Sequence, residues 1–236
     1  LYVNAVQSRR WYHDRALGAE RILAVLPLFH IFGMTTVMNV GLLIGAELIL
    51  LPRFEIRQLL QVIHRRRPTV FAAVPTLFAA VIRYEQRRRY DLSSLEICTS
   101  GGAPLPSDTK QQFEELTGCV IVEGYGLTEA SPVVCCNPVR SLQKTGSVGL
   151  PYPLTEVAIL SLEDGRTPMP TGERGELCVR GPQVMRGYSG RPEETAKTLQ
   201  DGWLHTGDVA YRDEDDYVLI VDRIKDVILA AGFNVY

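Results

Sequence analysis

Apolar and polar positions along the first half of the chain follow two different periods. Five short apolar runs predict buried strands at residues 21–26, 47–51, 70–74, 95–99 and 120–123. Between them, apolar residues recur at helical spacing. This predicts helices at residues 33–44, 56–67, 75–84 and 107–116, the last capped by Ser107 or Asp108. Strands that alternate with helices form parallel sheets, so residues 1–140 are predicted to be an α/β subdomain with a parallel sheet.

The pattern changes after residue 140, where glycine and proline become frequent between short β-rich runs. These runs predict strands at residues 156–160, 176–180, 217–222 and 226–229, with turns at 163–166 and 213–216. Closely spaced strands with no helices between them are typical of antiparallel architectures. Residues 141–224 are therefore predicted to form a smaller β-rich subdomain, a distorted barrel.

Composition and charge exclude some classes of partner. The chain has 236 residues, 46% of them hydrophobic, and a formal net charge of −2, which is typical of a globular protein and gives no reason to expect a nucleic acid partner. Arginine triplets at residues 65–67 and 87–89 each follow an amphipathic helix, and we interpret them as solvated helix ends. The chain has five cysteines, an odd number, and no CxxC spacing. This indicates reduced thiols in a cytoplasmic protein.

One apolar stretch, residues 23–51, has to be weighed as a membrane span. Pro27, His30, Asn39 and Glu47 interrupt it. Its longest uninterrupted part, residues 33–46, has the length of a buried helix. We therefore predict no transmembrane segment.

Two glycine-containing loops directly follow predicted strands, at the edge where α/β folds bind ligands. In the loop at residues 124–129, Thr128 can donate to a phosphate oxygen and Glu129 can hold Mg²⁺. The small residues at 100–104 would let a flat adenine ring lie against the backbone. Each loop, taken alone, is also compatible with an ordinary glycine turn.

Two further segments in the second half carry acidic and basic residues. Asp208, which follows Thr206-Gly207, can accept hydrogen bonds from both hydroxyls of a ribose. Arg223, in the segment 222–226, can add a contact to ribose or phosphate. The alternative for this second segment is a charged strand connection with local ion pairs.

The combination and order of these segments resemble the adenylate-forming superfamily, which contains acyl- and aryl-CoA ligases, beetle luciferases and the adenylation domains of peptide synthetases. The resemblance covers essentially the whole chain. It rests on six segments: Pro27-Leu28-Phe29-His30, residues 100–104, Tyr125-Gly126-Leu127-Thr128-Glu129, residues 175–181 with Gly187-Tyr188, Thr206-Gly207-Asp208, and residues 222–226 with 232–235.

The resemblance implies an enzyme that joins a fatty acid to AMP using ATP and then transfers the acyl group to coenzyme A. It further implies residues 225–236 to be a hinge and the start of a C-terminal domain. For the reacting groups, the resemblance implies that Glu129 binds Mg²⁺, Thr128 contacts the α-phosphate and His30 is an acyl gate. For the nucleotide, it implies ribose contacts by Asp208 and Arg223, and adenine and acyl contacts by Gly101, Gly102, Ala103, Pro104, Tyr125 and Gly126. It also implies a hinge at Lys225 and a pantetheine passage beside Ala231 and Gly232.

The resemblance also leaves alternatives open. The acid could be aromatic, or the chain could be a peptide-synthetase adenylation domain, although no acidic residue for an amino group is identified and the apolar residues at 33–44 favour an aliphatic chain. A different class is a non-catalytic nucleotide-binding or scaffold protein. The family's phosphate loop and its lysine-bearing C-terminal domain are expected outside residues 1–236, so we expect this chain alone to form no acyl-adenylate. An exposed sheet edge could also make it a homodimer.

Overall fold

A mixed sheet of seven strands forms the larger part of the molecule. The computed structural model describes residues 1–12 and 17–224 in full, and the backbone alone at 228–230 and 233–235. The sheet has the order β2-β1-β3-β4-β5-β6-β7. Its strands are β1 Arg21–Ala24, β2 Glu47–Leu50, β3 Val70–Ala73, β4 Ile97–Ser100, β5 Val120–Gly126, β6 Val133–Cys136 and β7 Leu150–Pro151.

The first five of these strands are parallel, which confirms the predicted α/β architecture. Strands β6 and β7 are antiparallel additions that the sequence analysis did not predict. They extend the sheet past residue 140. Strand β5 also runs three residues further than predicted, through Gly126.

Most of the helices connect the parallel strands, as the periodicity predicts, whereas the first helix, the 3₁₀ helix after β5 and the last helix do not. They are α1 Tyr2–Trp11, a π-helical segment Gly33–Asn39 that continues into α2 Val40–Ile44, α3 Ile56–Arg66, α4 Pro75–Arg83, a 3₁₀ helix Glu85–Arg89, α5 Ser107–Thr117, a 3₁₀ helix Thr128–Ala130 and α6 Pro192–Thr198. The predicted cap of α5 by Ser107 or Asp108 is wrong. Pro106 occupies the N-cap, and both polar residues already lie inside the first turn.

The inner parallel strands β1, β3 and β4 are buried on both faces, because side chains alternate between two faces of the sheet and each face is packed. On one face, Phe78 of α4 packs edge-on against Phe71 of β3 and Phe113 of α5, with ring centroids 5.7 and 4.9 Å apart. On the other face, Ile22 and Ala72 belong to a separate cluster with Val37 of the π-helical segment. Because both faces of these strands are buried, apolar residues occupy successive positions and the strands appear in the sequence as continuous apolar runs.

Helix α1 was not predicted, and its contacts explain why. It has no apolar stripe and instead buries amide side chains. The Asn4 amide donates to the Val133 carbonyl oxygen (2.9 Å) and accepts from the Val133 N–H (3.1 Å), which joins the helix to β6. Gln7 donates to the Pro153 carbonyl oxygen at 2.6 Å. Tertiary hydrogen bonds therefore hold this helix.

A second, antiparallel sheet follows, as predicted. Its strands are β8 Glu156–Leu160, β9 Gly175–Arg180, β10 Leu199–Gln200, β11 Trp203–Arg212 and β12 Val218–Arg223. Strand β9 lies between β8 and β11, β10 pairs with the start of β11, and β12 pairs with its second half. The backbone of β13 Ile228–Ala230 pairs antiparallel with that of β14 Phe233–Val235 in a separate two-stranded sheet. Strand β11, the longest of these, is absent from the predicted strands.

The structure also bears on the predictions about the cysteines and about a membrane span. All five cysteines are free and buried. Each helix in the described residues is too short or too polar to cross a bilayer.

Candidate active site

The carboxyl ends of β4 and β5 place the two predicted glycine loops side by side. The loop at residues 100–104 continues from β4, and Gly124, Tyr125 and Gly126 form the last residues of β5, paired to β6. A Cβ atom at Gly126 would lie 2.1 Å from the Pro132 carbonyl oxygen, so only glycine fits there. Residues 124–126 of the motif at 124–129 therefore belong to strand β5, and the backbone changes direction only after Gly126.

Two cavities open at this edge of the sheet. The first, here called the His30 cavity, has a volume of about 320 Å³, and its lining includes His30, Gly101, Gly102, Tyr125, Thr128 and Glu129. The second, the Asp208 cavity, has a volume of about 420 Å³, and its lining includes Gly102, Ala103, Pro104, Glu123, Tyr125 and Asp208. Gly102, Tyr125, Gly126 and Arg223 line both. The structure thus brings together the predicted site residues that it describes.

Asp208 lies at the centre of a short polar chain that joins the two sheets. The Tyr125 hydroxyl donates to Asp208 Oδ2 at 2.5 Å, and Arg223 Nε donates to Asp208 Oδ1 at 3.0 Å. The Asp208 side chain is only 6% exposed, whereas that of Arg223 is 70% exposed. Burial first, and then the negative charge of Asp208, raise the pKa of the Tyr125 phenol, which keeps it protonated and able to donate.

Thr128 and Glu129 lie on the 3₁₀ helix that follows β5. The Tyr188 hydroxyl donates to Glu129 Oε1 at 2.7 Å, and the Met185 N–H donates to the Glu129 carbonyl oxygen at 2.7 Å. Thr128 is exposed. The anionic oxygens of Glu129 lie at the His30 cavity, and carboxylate oxygen is a ligand type that Mg²⁺ prefers.

His30 lies at the end of the loop before the π-helical segment and is exposed to solvent. Its Nδ1 accepts a hydrogen bond from the Phe32 N–H at 3.2 Å. A neutral imidazole that accepts at Nδ1 carries its proton on Nε2. The ring thus lies at the mouth of the His30 cavity with a donor nitrogen available.

Sequence reasoning missed Glu123, the residue before the glycine motif. Its carboxyl lines the Asp208 cavity and accepts a hydrogen bond from the Leu105 N–H. Burial raises the pKa of this carboxyl, more than nearby Lys110 lowers it. Its position immediately before Gly124 was the available signal. Three predicted residues, Lys225, Ala231 and Gly232, lie outside the described residues.

The fold and the site together define a class. It is an α/β protein that gathers two glycine loops, a buried carboxylate and a surface arginine at the carboxyl edge of a parallel sheet, an arrangement typical of nucleotide sites. The family model described as AMP-binding enzyme matches residues 2–189. The chain belongs to this AMP-binding enzyme family.

Curated relatives are similar over the whole chain. A long-chain-fatty-acid–CoA ligase of Bacillus subtilis (strain 168) is 46% identical over 236 residues, which are 100% of this chain and 42% of the relative. A feruloyl-CoA synthase of Amycolatopsis sp is 41% identical over 218 residues, 92% of this chain and 44% of the relative. The chain therefore spans less than half the length of these relatives.

Solved structures agree with the fold. ATP-bound MatB from Rhodopseudomonas palustris superposes with a TM-score of 0.90 at 30% identity and covers 100% of this chain and 46% of its own. O-succinylbenzoate coenzyme A synthetase (MenE) from Bacillus subtilis, in complex with ATP and magnesium ion, has a TM-score of 0.86 at 30% identity and covers 100% and 48%.

Proposed function

We propose that this chain carries the nucleotide and acid sites of an enzyme that activates a fatty acid with ATP and transfers it to coenzyme A. The observation that carries the proposal is the pair of hydrogen bonds that Asp208 accepts from Tyr125 and Arg223. Tyr125 and Arg223 line both the cavity that contains residues 102–104 and the cavity that contains Thr128 and Glu129. In the first reaction the fatty acid carboxylate attacks the α-phosphorus of ATP, and pyrophosphate leaves. In the second, the coenzyme A thiol attacks the acyl carbon and AMP leaves.

The adenosine part of ATP is assigned to the Asp208 cavity. The buried Asp208 carboxylate accepts hydrogen bonds from the ribose hydroxyls, because an anionic acceptor with little access to water favours donors strongly. Tyr125 and Gly102 offer a flat ring and bare backbone to the adenine. Arg223, mostly exposed at the rim, adds a charged donor.

The reacting groups are assigned to the His30 cavity. Thr128 donates to the α-phosphate, and Glu129 holds Mg²⁺, which screens the repulsion between the carboxylate and the phosphate. The Tyr188 hydroxyl fixes the direction of the Glu129 carboxylate. His30, at the cavity mouth, separates the acid from the entrance that the thiol uses.

A third cavity favours an aliphatic acid. It has a volume of about 410 Å³ and shares Tyr12, Thr36 and Thr99 with the His30 cavity. Much of its lining is apolar and comes from the sheet and from the π-helical segment with α2, namely Ile22, Val40, Ile44, Val70, Ala72 and Ile97. Relatives named long-chain-fatty-acid–CoA ligase at 41–46% identity support the same assignment.

A second function, ligation of an aromatic acid, has one specific observation in its favour. The relative named feruloyl-CoA synthase is 41% identical over 92% of this chain. The two functions use the same nucleotide site and differ only in the acid. We also propose a cytoplasmic location, which the five free, buried cysteines support.

The first prediction is tested by calorimetric titration with non-hydrolysable acyl-adenylates. This experiment measures binding without turnover, which suits a chain that spans 42% of the Bacillus relative. Asp208→Ala should weaken binding by about tenfold to a hundredfold, since hydrogen bonds to a charged group contribute about 1.5–3 kcal/mol. Asp215→Ala, an exposed surface carboxylate, is the matched control.

The same titration separates the acids. Affinity that rises with aliphatic chain length supports the fatty acid, and a feruloyl-adenylate analogue that binds more tightly than every aliphatic one supports the aromatic alternative. Equal binding by wild type and Asp208→Ala, with an unchanged circular dichroism spectrum, contradicts the nucleotide site itself and leaves a scaffold protein.

A further inference from the structure

Strand β11 is interrupted just before Asp208. Its ladder with β9 pairs His205 with Cys178 and then resumes with Val209 opposite Glu176. Three residues of β11, 206–208, therefore face the single residue Leu177 of β9. Gly207 has φ +74°, a left-handed conformation that glycine adopts without strain. This bulge, residues 206–208, turns the backbone toward the Asp208 cavity.

A bulge leaves backbone groups without ladder partners, and here side chains replace them. Glu176 Oε1 accepts a hydrogen bond from the Gly207 N–H at 2.9 Å. Thr206 Oγ1 donates to the Leu177 carbonyl oxygen at 2.7 Å and accepts from the Asp208 N–H at 3.1 Å. The conformation of the bulge is thus set mainly by Glu176 and Thr206.

His205 holds Glu176 in place. Its Nδ1 lies 2.7 Å from Glu176 Oε2, and the two side chains are only 11% and 13% exposed. Both oxygens of Glu176 are therefore engaged, one by the ring and one by the Gly207 backbone. A carboxylate held at both oxygens and largely shielded from water has little freedom to move.

The same residues could instead bind a metal, since donor atoms of Glu176, Cys178 and His205 lie within 4.8 Å of one another. The contacts favour the hydrogen-bonded arrangement. Glu176 already has a partner at each oxygen, and His205 Nδ1 is used by Glu176. Burial raises the pKa of the Cys178 thiol, which disfavours the thiolate that a metal needs.

We propose that Glu176, steadied by His205, is a positioning residue that acts through the Gly207 N–H to direct the Asp208 carboxylate at the ribose hydroxyls. The inference rests on the proposed ribose site at Asp208. Hydrogen bonds weaken steeply when their angle is lost, so a bulge that relaxes should cost contacts to the ribose and leave contacts to the adenine.

The test measures ribose discrimination, defined as the affinity for a non-hydrolysable acyl-adenylate divided by the affinity for its 2′,3′-dideoxy analogue. Wild type should discriminate by about tenfold or more, because the dideoxy analogue lacks both donors to Asp208. Glu176→Ala should lose most of this ratio. Glu176→Gln should retain most of it, because its amide oxygen still accepts from the Gly207 N–H.

Two further variants complete the design. Glu156→Ala removes an exposed carboxylate of the neighbouring strand β8 and should leave the ratio unchanged. His205→Ala frees one oxygen of Glu176 and should give an intermediate ratio. It also serves where Glu176→Ala fails to fold, and the thermal midpoint of each variant is recorded beside its affinities.

The outcomes separate the two proposals. If Asp208→Ala abolishes discrimination while Glu176→Ala and His205→Ala keep the wild-type ratio, the positioning role is wrong and the ribose site stands. If wild type does not discriminate, the ribose site itself is wrong. A rise in the thermal midpoint with Zn²⁺ that Cys178→Ser removes overturns the positioning role in favour of a metal site.

Discussion

The Asp208 carboxylate can be buried at low cost because each of its oxygens accepts a hydrogen bond, one from Tyr125 and the other from Arg223. Burying an unpaired charge would be far more costly. The same two donors lie where ribose hydroxyls are proposed to bind. Each carboxylate oxygen can accept a second hydrogen bond, so ribose hydroxyls can bind Asp208 while Tyr125 and Arg223 keep theirs.

At the same scale, the glycines of the β5 motif differ in how much space they have. A Cβ at Gly126 would lie 2.1 Å from a backbone oxygen, whereas a Cβ at Gly124 meets nothing nearer than 3.4 Å. We expect Gly126→Ala to lower the thermal midpoint and weaken adenylate binding, and Gly124→Ala to change both much less. Calorimetry and thermal denaturation measure the pair, and similar losses in the two variants would contradict this steric account.

At the scale of elements, the sequence predicted those strands and connecting helices whose burial produces a regular spacing of apolar residues. Strands β1 to β5 and helices α3 to α5 lie within a few residues of their predicted positions. Helix α1 and strand β11 were missed for opposite reasons. The helix is held by buried amides and has no apolar stripe, and the strand contains a glycine bulge that breaks its alternation.

The amides of α1 give a prediction about this element. Asn4→Ala leaves the Val133 N–H and carbonyl without their partner, and a buried unsatisfied polar group costs about 1–3 kcal/mol. We expect the free energy of unfolding to fall by about that amount in a urea titration. Tyr2→Ala, at a side chain 73% exposed in the same helix, is the control and should change it little. Equal stabilities of the two variants would show that the amides do not hold the helix.

At the scale of the whole molecule, the two sheets share a core. Val134 and Cys135 of β6 pack in the same cluster as Val157 and Leu177 of the second sheet. The Asp208 cavity opens at this junction, because Tyr125 comes from the first sheet and Asp208 from the second. The subdomain boundaries at residues 140 and 224 stay predictions, as does a homodimer.

The buried thiols give a prediction for the folded molecule as a whole. Burial raises the pKa of Cys136 to about 12 and also raises that of Cys135, so both should resist alkylation at pH 8. Cys119 should react first, because a hydrogen bond from Cys98 lowers its pKa. Mass spectrometry of labelled peptides measures the order. Fast labelling of Cys136 in the folded protein would contradict the burial of this thiol.

From the sequence alone came the class of fold and the candidate residues of the site. Apolar periodicity is a local record of burial, so it predicted the parallel α/β half and the antiparallel half. Side-chain chemistry made Thr128, Glu129, Asp208 and Arg223 candidates, and the family resemblance added Tyr125. The folded structure was needed to show that Asp208 meets Tyr125, 83 positions away, and that Glu176 contacts the bulge at Gly207. Those contacts join residues far apart in the chain, and no local pattern of hydrophobicity carries information about them.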